Sequence, residues 1–217
     1  MKYEIILKIK EVEKQLKTDF LTTIAYLDWV TNIVPMPKKD GKVRICIDYK
    51  DLNRASPKDS FPLPHIDTFI NNTATNMFFS FMDGFSSYNQ IKMAEEDKAK
   101  TTFTTHWGTY VYDVMPFGLK KAGATYQQAM VTLFHDMMHK EIEVYVDDMI
   151  AKSRTPKGYL GDLRKLFMCL IKYRLRLNTN KCVFGASSRK FLSFIVSQRG
   201  IEVDLAKVQA IRDMLTP

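Results

Sequence analysis

Cysteine is scarce: Cys46, Cys169 and Cys182 are the only three in 217 residues, widely separated and at no metal-ligand spacing. They read as reduced thiols in an intracellular setting, and neither a disulfide framework nor a zinc site is expected. Histidine is nearly as sparse, and His106, with no second His or Cys at ligand spacing, reads as a surface turn residue. No apolar stretch approaches 18 residues, and after Met1-Lys2 only Ile5 to Leu7 are apolar before charges resume. Neither a signal peptide nor a membrane span is therefore expected. Repeats and low-complexity tracts are missing as well. Acid is in deficit, with 24 Asp and Glu against 32 Lys and Arg, a net charge of +8 and a pI near 9.3. That balance favours a polyanionic partner. What is present, 46% hydrophobic and 12% aromatic residues, is the composition of a folded globular chain.

Four of the acids stand close together in one conspicuous place, Glu141-Ile142-Glu143-Val144-Tyr145-Val146-Asp147-Asp148-Met149-Ile150. Ile142, Val144 and Val146 alternate with Glu141, Glu143 and Tyr145, the period-2 pattern of a half-buried strand, so the Asp pair is expected at a hairpin tip. Adjacent carboxylates repel by about 1 kcal/mol at 4 Å in water and by more when partly buried, so the pair calls for a cation, a hard divalent ion being the natural one. A further acid, Asp83, closes the short apolar run Met77 to Met82, which has the length of a central strand. A helix, the hairpin, another helix and another strand follow, which is the split βαβ order. In that topology the end of the first strand lies beside the central hairpin, so Asp83 can meet Asp147 and Asp148. Three such carboxylates can hold two metal ions about 3.5–4 Å apart.

Along the rest of the chain, Ile5, Ile9, Val12, Leu16 and Phe20 predict an amphipathic helix. Val30 to Pro37 and Val43 to Ile47 predict a hairpin turned at Asp40-Gly41, from which Lys38, Lys39, Lys42 and Arg44 project as a basic group, read either as a lysine-protected sheet edge or as a grip for a triphosphate. Asp48 to Pro64 reads as a loop-like connector, Pro64 to Asn72 as a helix, and Thr101 to Thr105 with Tyr110 to Val114 as a hairpin. Met115 to Ala124 is a two-glycine loop leading into a helix with Tyr126, Ala129, Met130, Leu133, Phe134, Met137 and Met138 on one face. Thr155-Pro156 opens a helix whose expected buried stripe is Leu160, Leu163, Leu166, Phe167, Leu170 and Ile171. Lys181 to Phe184 is expected as the fourth core strand, Phe191 to Val196 with Ile201 to Val203 as a last hairpin, and a helix from Asp204.

These motifs together resemble the fingers and palm of a reverse transcriptase, most closely that of a gypsy-type long-terminal-repeat retrotransposon of plants, from about Trp29 to Thr216. The likeness lies in Pro37-Lys38-Lys39-Asp40-Gly41-Lys42-Val43-Arg44, Asp51-Leu52-Asn53, Phe61-Pro62-Leu63-Pro64, Phe81-Met82-Asp83 through Tyr88-Asn89-Gln90-Ile91, Met115-Pro116-Phe117-Gly118-Leu119 with Ala124-Thr125-Tyr126-Gln127, and Tyr145-Val146-Asp147-Asp148. It implies an α+β fold: a palm with a split βαβ, ferredoxin-like sheet and helices on one face, a fingers lobe, and a thumb missing or only begun. The implied division is 1–76 for the N-terminal helix and fingers hairpin, 77–203 for the palm with an inserted fingers segment near 95–115, and 204–217 for the start of a thumb.

The same resemblance implies an RNA-directed DNA polymerase domain within a retrotransposon polyprotein, acting in a cytoplasmic particle or the nucleus. Asp83, Asp147 and Asp148 would be catalytic and bind two magnesium ions, with manganese as a substitute, and Lys181 would protonate the leaving pyrophosphate. Lys38, Lys39 and Arg44 would hold the triphosphate, Tyr88 would exclude a 2′-hydroxyl, Phe117 and Gly118 would pack at the templating pair, and Phe191, Leu192 and Ser193 would form the primer grip. The implied partners are an RNA or DNA template with its primer, a deoxynucleotide, and RNase H and integrase parts of the polyprotein; no membrane is involved. Ser87 and Ser193 stand where the family usually has Gly, Asp19 where a Gly usually ends the first helix, and Leu27 where Pro is common. A left-handed Gly replaced by Ser costs on the order of 1 kcal/mol. These departures, with the missing thumb, leave a catalytically inactive nucleic-acid-binding relic as the alternative; a metal-dependent nuclease is disfavoured because it would need neither the basic hairpin nor the gate tyrosine.

Overall fold

The computed structural model describes residues 11–25, 30–37, 43–62, 64–73, 76–191, 194–197, 200–203 and 205–214, with only the backbone of Arg44 and Phe191 among the site candidates. In chain order these form α1 (11–17), β1 (Leu21–Thr23), β2 (Ile33–Pro37), β3 (Val43–Ile47), α2 (Lys50–Ala55), α3 (Ile66–Thr73), β4 (Phe78–Asp83), α4 (Glu95–Lys98), β5 (Phe103–Thr105), β6 (Gly108–Tyr112) and α5 (Ala122–Leu133). Then come β7 (Ile142–Tyr145), β8 (Asp148–Ser153), α6 (Pro156–Lys172), β9 (Val183–Ala186), β10 (Ser188–Phe191), β11 (Phe194–Ser197), β12 (Gly200–Val203) and α7 (Leu205–Arg212). The chain divides into two compact units, residues 1–60 with 86–126, and residues 61–85 with 127–217.

The first unit holds the β2–β3 hairpin and the antiparallel sheet β1-β6-β5. Alternation along β3 buries Ile45 and Ile47, which join Val12, Leu21, Tyr49, Phe103, Tyr110, Tyr112 and Val114 in one core. The helix α1 ends in a left-handed residue, Asp19 at φ 55°, with Phe20 N–H donating to the Gln15 carbonyl and Asp19 N–H to that of Leu16. That is a Schellman ending with Asp in the place glycine favours, at a cost of roughly 1 kcal/mol. The stretch expected as a plain connector contains a helix, α2. Asp48 accepts a bond from Lys50 N–H, Ser56 Oγ and N–H both return to the Leu52 carbonyl, and Pro57 follows, so polar residues of this stretch take up backbone groups at both ends of the helix.

The second unit is organised on the antiparallel sheet β7-β8-β4-β9, the strand order of the split βαβ pattern. β4 is central and apolar on both faces, with Phe79, Phe81, Ser80 and Met82 all buried. One face packs Phe79, Phe81 and Ile150 against Phe69 of α3 and Val196 of β11. The other meets α6, where Tyr159 Oη lies 2.6 Å from Ser80 Oγ and accepts from Gly185 N–H at 2.6 Å. α6 starts as its sequence predicts, with Thr155 Oγ1 accepting from Gly158 N–H ahead of Pro156. Its buried stripe is narrower than expected: Leu163, Leu166 and Leu170 are inside, whereas Leu160, Phe167 and Ile171 are exposed. Lys181 precedes the fourth strand, which runs over Val183–Ala186, and the final hairpin is a three-stranded meander, β10-β11-β12, because Phe191 belongs to a strand of its own.

Candidate active site

The register of β4 with β8 places Asp83 directly opposite Asp148, and that of β7 with β8 places Tyr145 opposite Asp148 across a two-residue turn, Val146-Asp147. Gly84 N–H reaches the Asp147 carbonyl at 3.4 Å. Asp83, distant in sequence, thus occupies a backbone position beside Asp147 and Asp148 at one end of the sheet. Asp83 Oδ2 is held by Lys181 Nζ at 2.7 Å, on the turn that precedes β9, and Asn178 N–H donates to the Asp83 carbonyl at 2.8 Å. Arg189 stacks its guanidinium over the Phe81 ring at 5.6 Å and donates to the Lys181 carbonyl. Among the described residues no three His, Cys, Asp or Glu side chains are posed to hold one metal ion in common. Lys181 instead supplies the counter-charge to Asp83.

The donor set nonetheless fits a hard divalent cation. Burial, followed by the charges of Asp83 and Asp147, pushes the Asp148 carboxyl up to about 6 against the opposing pull of Lys181 and Arg189. The acids therefore sit in an excess of negative potential that a proton or a metal relieves. Folded Asp148 keeps its proton to about pH 6, whereas the ordinary carboxyl releases it near 3.8. Its contribution is fully present below about pH 4 and is lost as pH rises from about 4 to 6. In EDTA, Asp148→Asn is expected to raise stability at pH 7.5 by about 1 kcal/mol, after discounting for partial exposure, and to flatten the decline between pH 4 and 6. Urea midpoints against pH test this, and an unchanged slope would contradict it.

The turn that carries Asp147 is strained and braced. Val146 has φ 52°, a left-handed conformation that β-branched residues rarely adopt, worth roughly 1–2 kcal/mol. Gln127 of α5, fully buried, accepts from Val146 N–H at 2.7 Å through Oε1 and donates to the Val144 carbonyl at 3.0 Å through Nε2. Below the turn, Glu143 and Lys152 form an ion pair at 2.7 Å with both side chains almost wholly buried. Glu143 also meets His139 Nδ1 at 3.0 Å, and Lys152 Nζ donates to the Asn72 carbonyl.

The remaining candidates divide between described and undescribed positions. In the first unit, Tyr88 lies in a 3₁₀ turn, Ser87–Gln90, its ring centroid 4.9 Å from that of Phe117 and 5.5 Å from that of Tyr126. Phe117 is exposed, and Gly118 takes φ 99° with its carbonyl accepting from Asn53 Nδ2 at 2.8 Å. Asn53 Oδ1 accepts from Lys120 N–H at 2.7 Å, so one amide side chain ties α2 to this glycine loop. Arg44 faces Met36 in the β2–β3 register, and Phe191 faces Phe194 in the β10–β11 register. Lys38, Lys39, Lys42, Leu192, Ser193 and Leu27 lie outside the described residues.

A family model described as reverse transcriptase (RNA-dependent DNA polymerase) matches residues 36–196. The chain belongs to the reverse transcriptase family. Similar proteins include the Pol polyproteins of the Drosophila melanogaster transposons 297, 34% identical over 84% of this chain, and gypsy, 34% identical over 80%. The chain spans 17% of the length of each of these curated relatives. Among solved structures, the foamy viral protease-reverse transcriptase in complex with double-stranded DNA matches all of this chain and 44% of that one, with a TM-score of 0.87 at 24% identity. The same protein in complex with an RNA/DNA hybrid matches all of this chain and 29% of that one, with a TM-score of 0.86 at 22% identity. This is the fingers and palm fold that the motifs imply.

Within the reverse transcriptase domain, one expected penalty is relocated. Ser87 does not take a left-handed conformation; the residue that does is Ser86, at φ 49°, so Ser87 carries no left-handed cost. Gln127, the Glu143–Lys152 pair and Asn53 were not singled out from the sequence as supports of the site. The available signal for Gln127 was a polar residue at the heart of an apolar helical stripe, three before Met130 and seven before Phe134.

Proposed function

We propose that this reverse transcriptase domain polymerises DNA on an RNA template, joining a deoxynucleotide to a primer 3′-hydroxyl. The observation that carries the reading is the β4–β8 register that sets Asp83 against Asp148, beside the Asp147 turn. Asp83 and Asp147 are the main metal ligands and Asp148 the third acid. When bound, two magnesium ions, replaceable by manganese, supply Lewis-acid neutralisation of the charge developing at the α-phosphate. The chain's own residues do the rest. Lys181 exchanges its Asp83 contact for the leaving pyrophosphate and donates the Nζ proton to it. Lys38, Lys39 and Arg44 hold the triphosphate, Phe117 and Gly118 pack at the templating pair, and Phe191, Leu192 and Ser193 grip the primer. Residues 204–217 begin a thumb, and RNase H and integrase segments of the polyprotein are the partners in the longer protein.

Tyr88 is the sugar gate, its ring braced by Phe117 and Tyr126. Removing that ring opens the space a 2′-hydroxyl would enter, so Tyr88→Ala should raise ribonucleotide incorporation relative to deoxynucleotide by about tenfold or more, as loss of a steric clash predicts. Equal discrimination by an active Tyr88→Ala variant would remove the assignment. The reading as a whole is tested by extension of a labelled DNA primer on an RNA template in magnesium. A second reading, nucleic-acid binding without synthesis, is favoured by the Lys181–Asp83 ion pair, which engages one of the acids. Duplex binding without extension would select it, and strand cleavage without extension would select a nuclease.

A further inference from the structure

We infer that Gln127 is a positioning residue for the catalytic turn: its buried amide holds the strained Val146 backbone and thereby fixes where Asp147 points. The inference rests on the polymerase reading only for its catalytic consequence. Gln127 is 0% exposed, so it cannot itself touch a nucleotide, template or metal. Its two ends are both committed to the hairpin, Oε1 to Val146 N–H at 2.7 Å and Nε2 to the Val144 carbonyl at 3.0 Å. Those two backbone groups bracket Tyr145 and stand immediately before Asp147. A two-residue hairpin turn is normally made by Asn, Asp or Gly, which tolerate positive φ, and Val146 is a β-branched residue in that role. Strained conformations of this kind persist only where the surroundings over-determine them. Gln127 on α5 holds the Val146 N–H, which ties the aim of Asp147 to a residue 20 positions earlier.

A plain structural role predicts a loss of fold stability, whereas a positioning role predicts a local change at the turn and a weaker metal affinity, so that a higher metal concentration is needed. In Gln127→Leu, which keeps the side-chain size and removes both bonds, amide exchange at Val146 should quicken by about tenfold, with Met149 to Ala151 changing by less than about threefold. The magnesium concentration for half-maximal primer extension should rise by about fivefold or more, with KM for the deoxynucleotide moving less. Gln127→Glu keeps the acceptor for Val146 N–H and should retain most of the protection at that amide. Val146→Gly removes the strain, so Gln127→Leu on that background should shift the magnesium requirement by less than on the native background.

Unchanged exchange at Val146 in Gln127→Leu would overturn the inference. So would a magnesium shift equally large with Val146→Gly present. If Gln127→Leu does not fold, Gln127→Glu decides: loss of Val146 protection in that variant, with the acceptor retained, contradicts the role. A native chain that fails to extend any primer removes the polymerase reading, while the exchange measurement still decides whether Gln127 governs the turn.

Discussion

Asp147→Asn should lower RNA-templated primer extension by about 10³-fold or more while leaving duplex binding and the thermal midpoint nearly unchanged. Asp147 sits in the Val146-Asp147 turn between β7 and β8, with its backbone carbonyl within reach of Gly84 N–H, so the amide can occupy the same place. What the substitution removes is charge. A neutral amide is a poorer ligand for a hard cation and restores less of the negative potential that Asp83, Asp147 and Asp148 create together, so the effect falls on the reaction and not on folding. The measurement is single-turnover extension with the native chain and the variant at matched duplex occupancy. A variant within tenfold of the native rate would show that Asp147 is no ligand of the reacting centre.

The second large effect lies on stability. Lys152→Met is expected to destabilise the chain by about 3–5 kcal/mol, because it leaves the Glu143 carboxylate buried without its main counter-ion. For a chain of this size that corresponds to a fall in Tm of roughly 10 °C. Glu143 and Lys152 are diagonal neighbours across β7 and β8, Glu143 facing Ile150 in the register, and no water can substitute for the lost ammonium at a side chain exposed by only 2%. The double variant Glu143→Leu with Lys152→Met removes both charges and should recover most of the loss, because apolar replacements of a buried pair are often neutral or better. Differential scanning calorimetry of the three chains checks it. Equal Tm for the single and double variants would mean that the pair carries no coupling.

The catalytic reading was legible because its signals are short-range and redundant. Alternation from Ile142 to Val146 defines the strand, the Asp pair marks its end, and the apolar run before Asp83 can be little else than a central strand. The strand order then brings the acids together without any side-chain detail. Other features were hidden for physical reasons. Alternation assigns Glu143 to a polar face, yet that face is covered, and a charge can be buried when its partner lies on the neighbouring strand; the pairing is visible only once the register is known. The six apolar residues from Leu160 to Ile171 cover more than one helical face, and periodicity alone does not say that only Leu163, Leu166 and Leu170 meet the sheet. Ser188 to Phe191, with Arg189 and Lys190 in its middle, has no apolar alternation, so β10 could not be read as a strand. At α2 the difficulty ran the other way: Asp48, Ser56 and Pro57 are all turn-formers, and whether they flank a short helix depends on which backbone groups they reach.

Left-handed positions divide similarly. Asp19 takes the conformation expected of the glycine it replaces, whereas at Ser86 and Ser87 the strain falls one residue away from the substituted position. Gln127 and Val146 were both in plain view as members of motifs, and only the geometry shows that one supports the other.

Manganese soaked into crystals of the chain and located by anomalous scattering shows whether the acids hold a metal. A peak is expected about 2.1–2.3 Å from carboxylate oxygens of Asp83 and Asp147, with Lys181 Nζ moved off Asp83 Oδ2. Saturating manganese that leaves Lys181 on Asp83 at 2.7 Å, with no metal between the two acids, would contradict it.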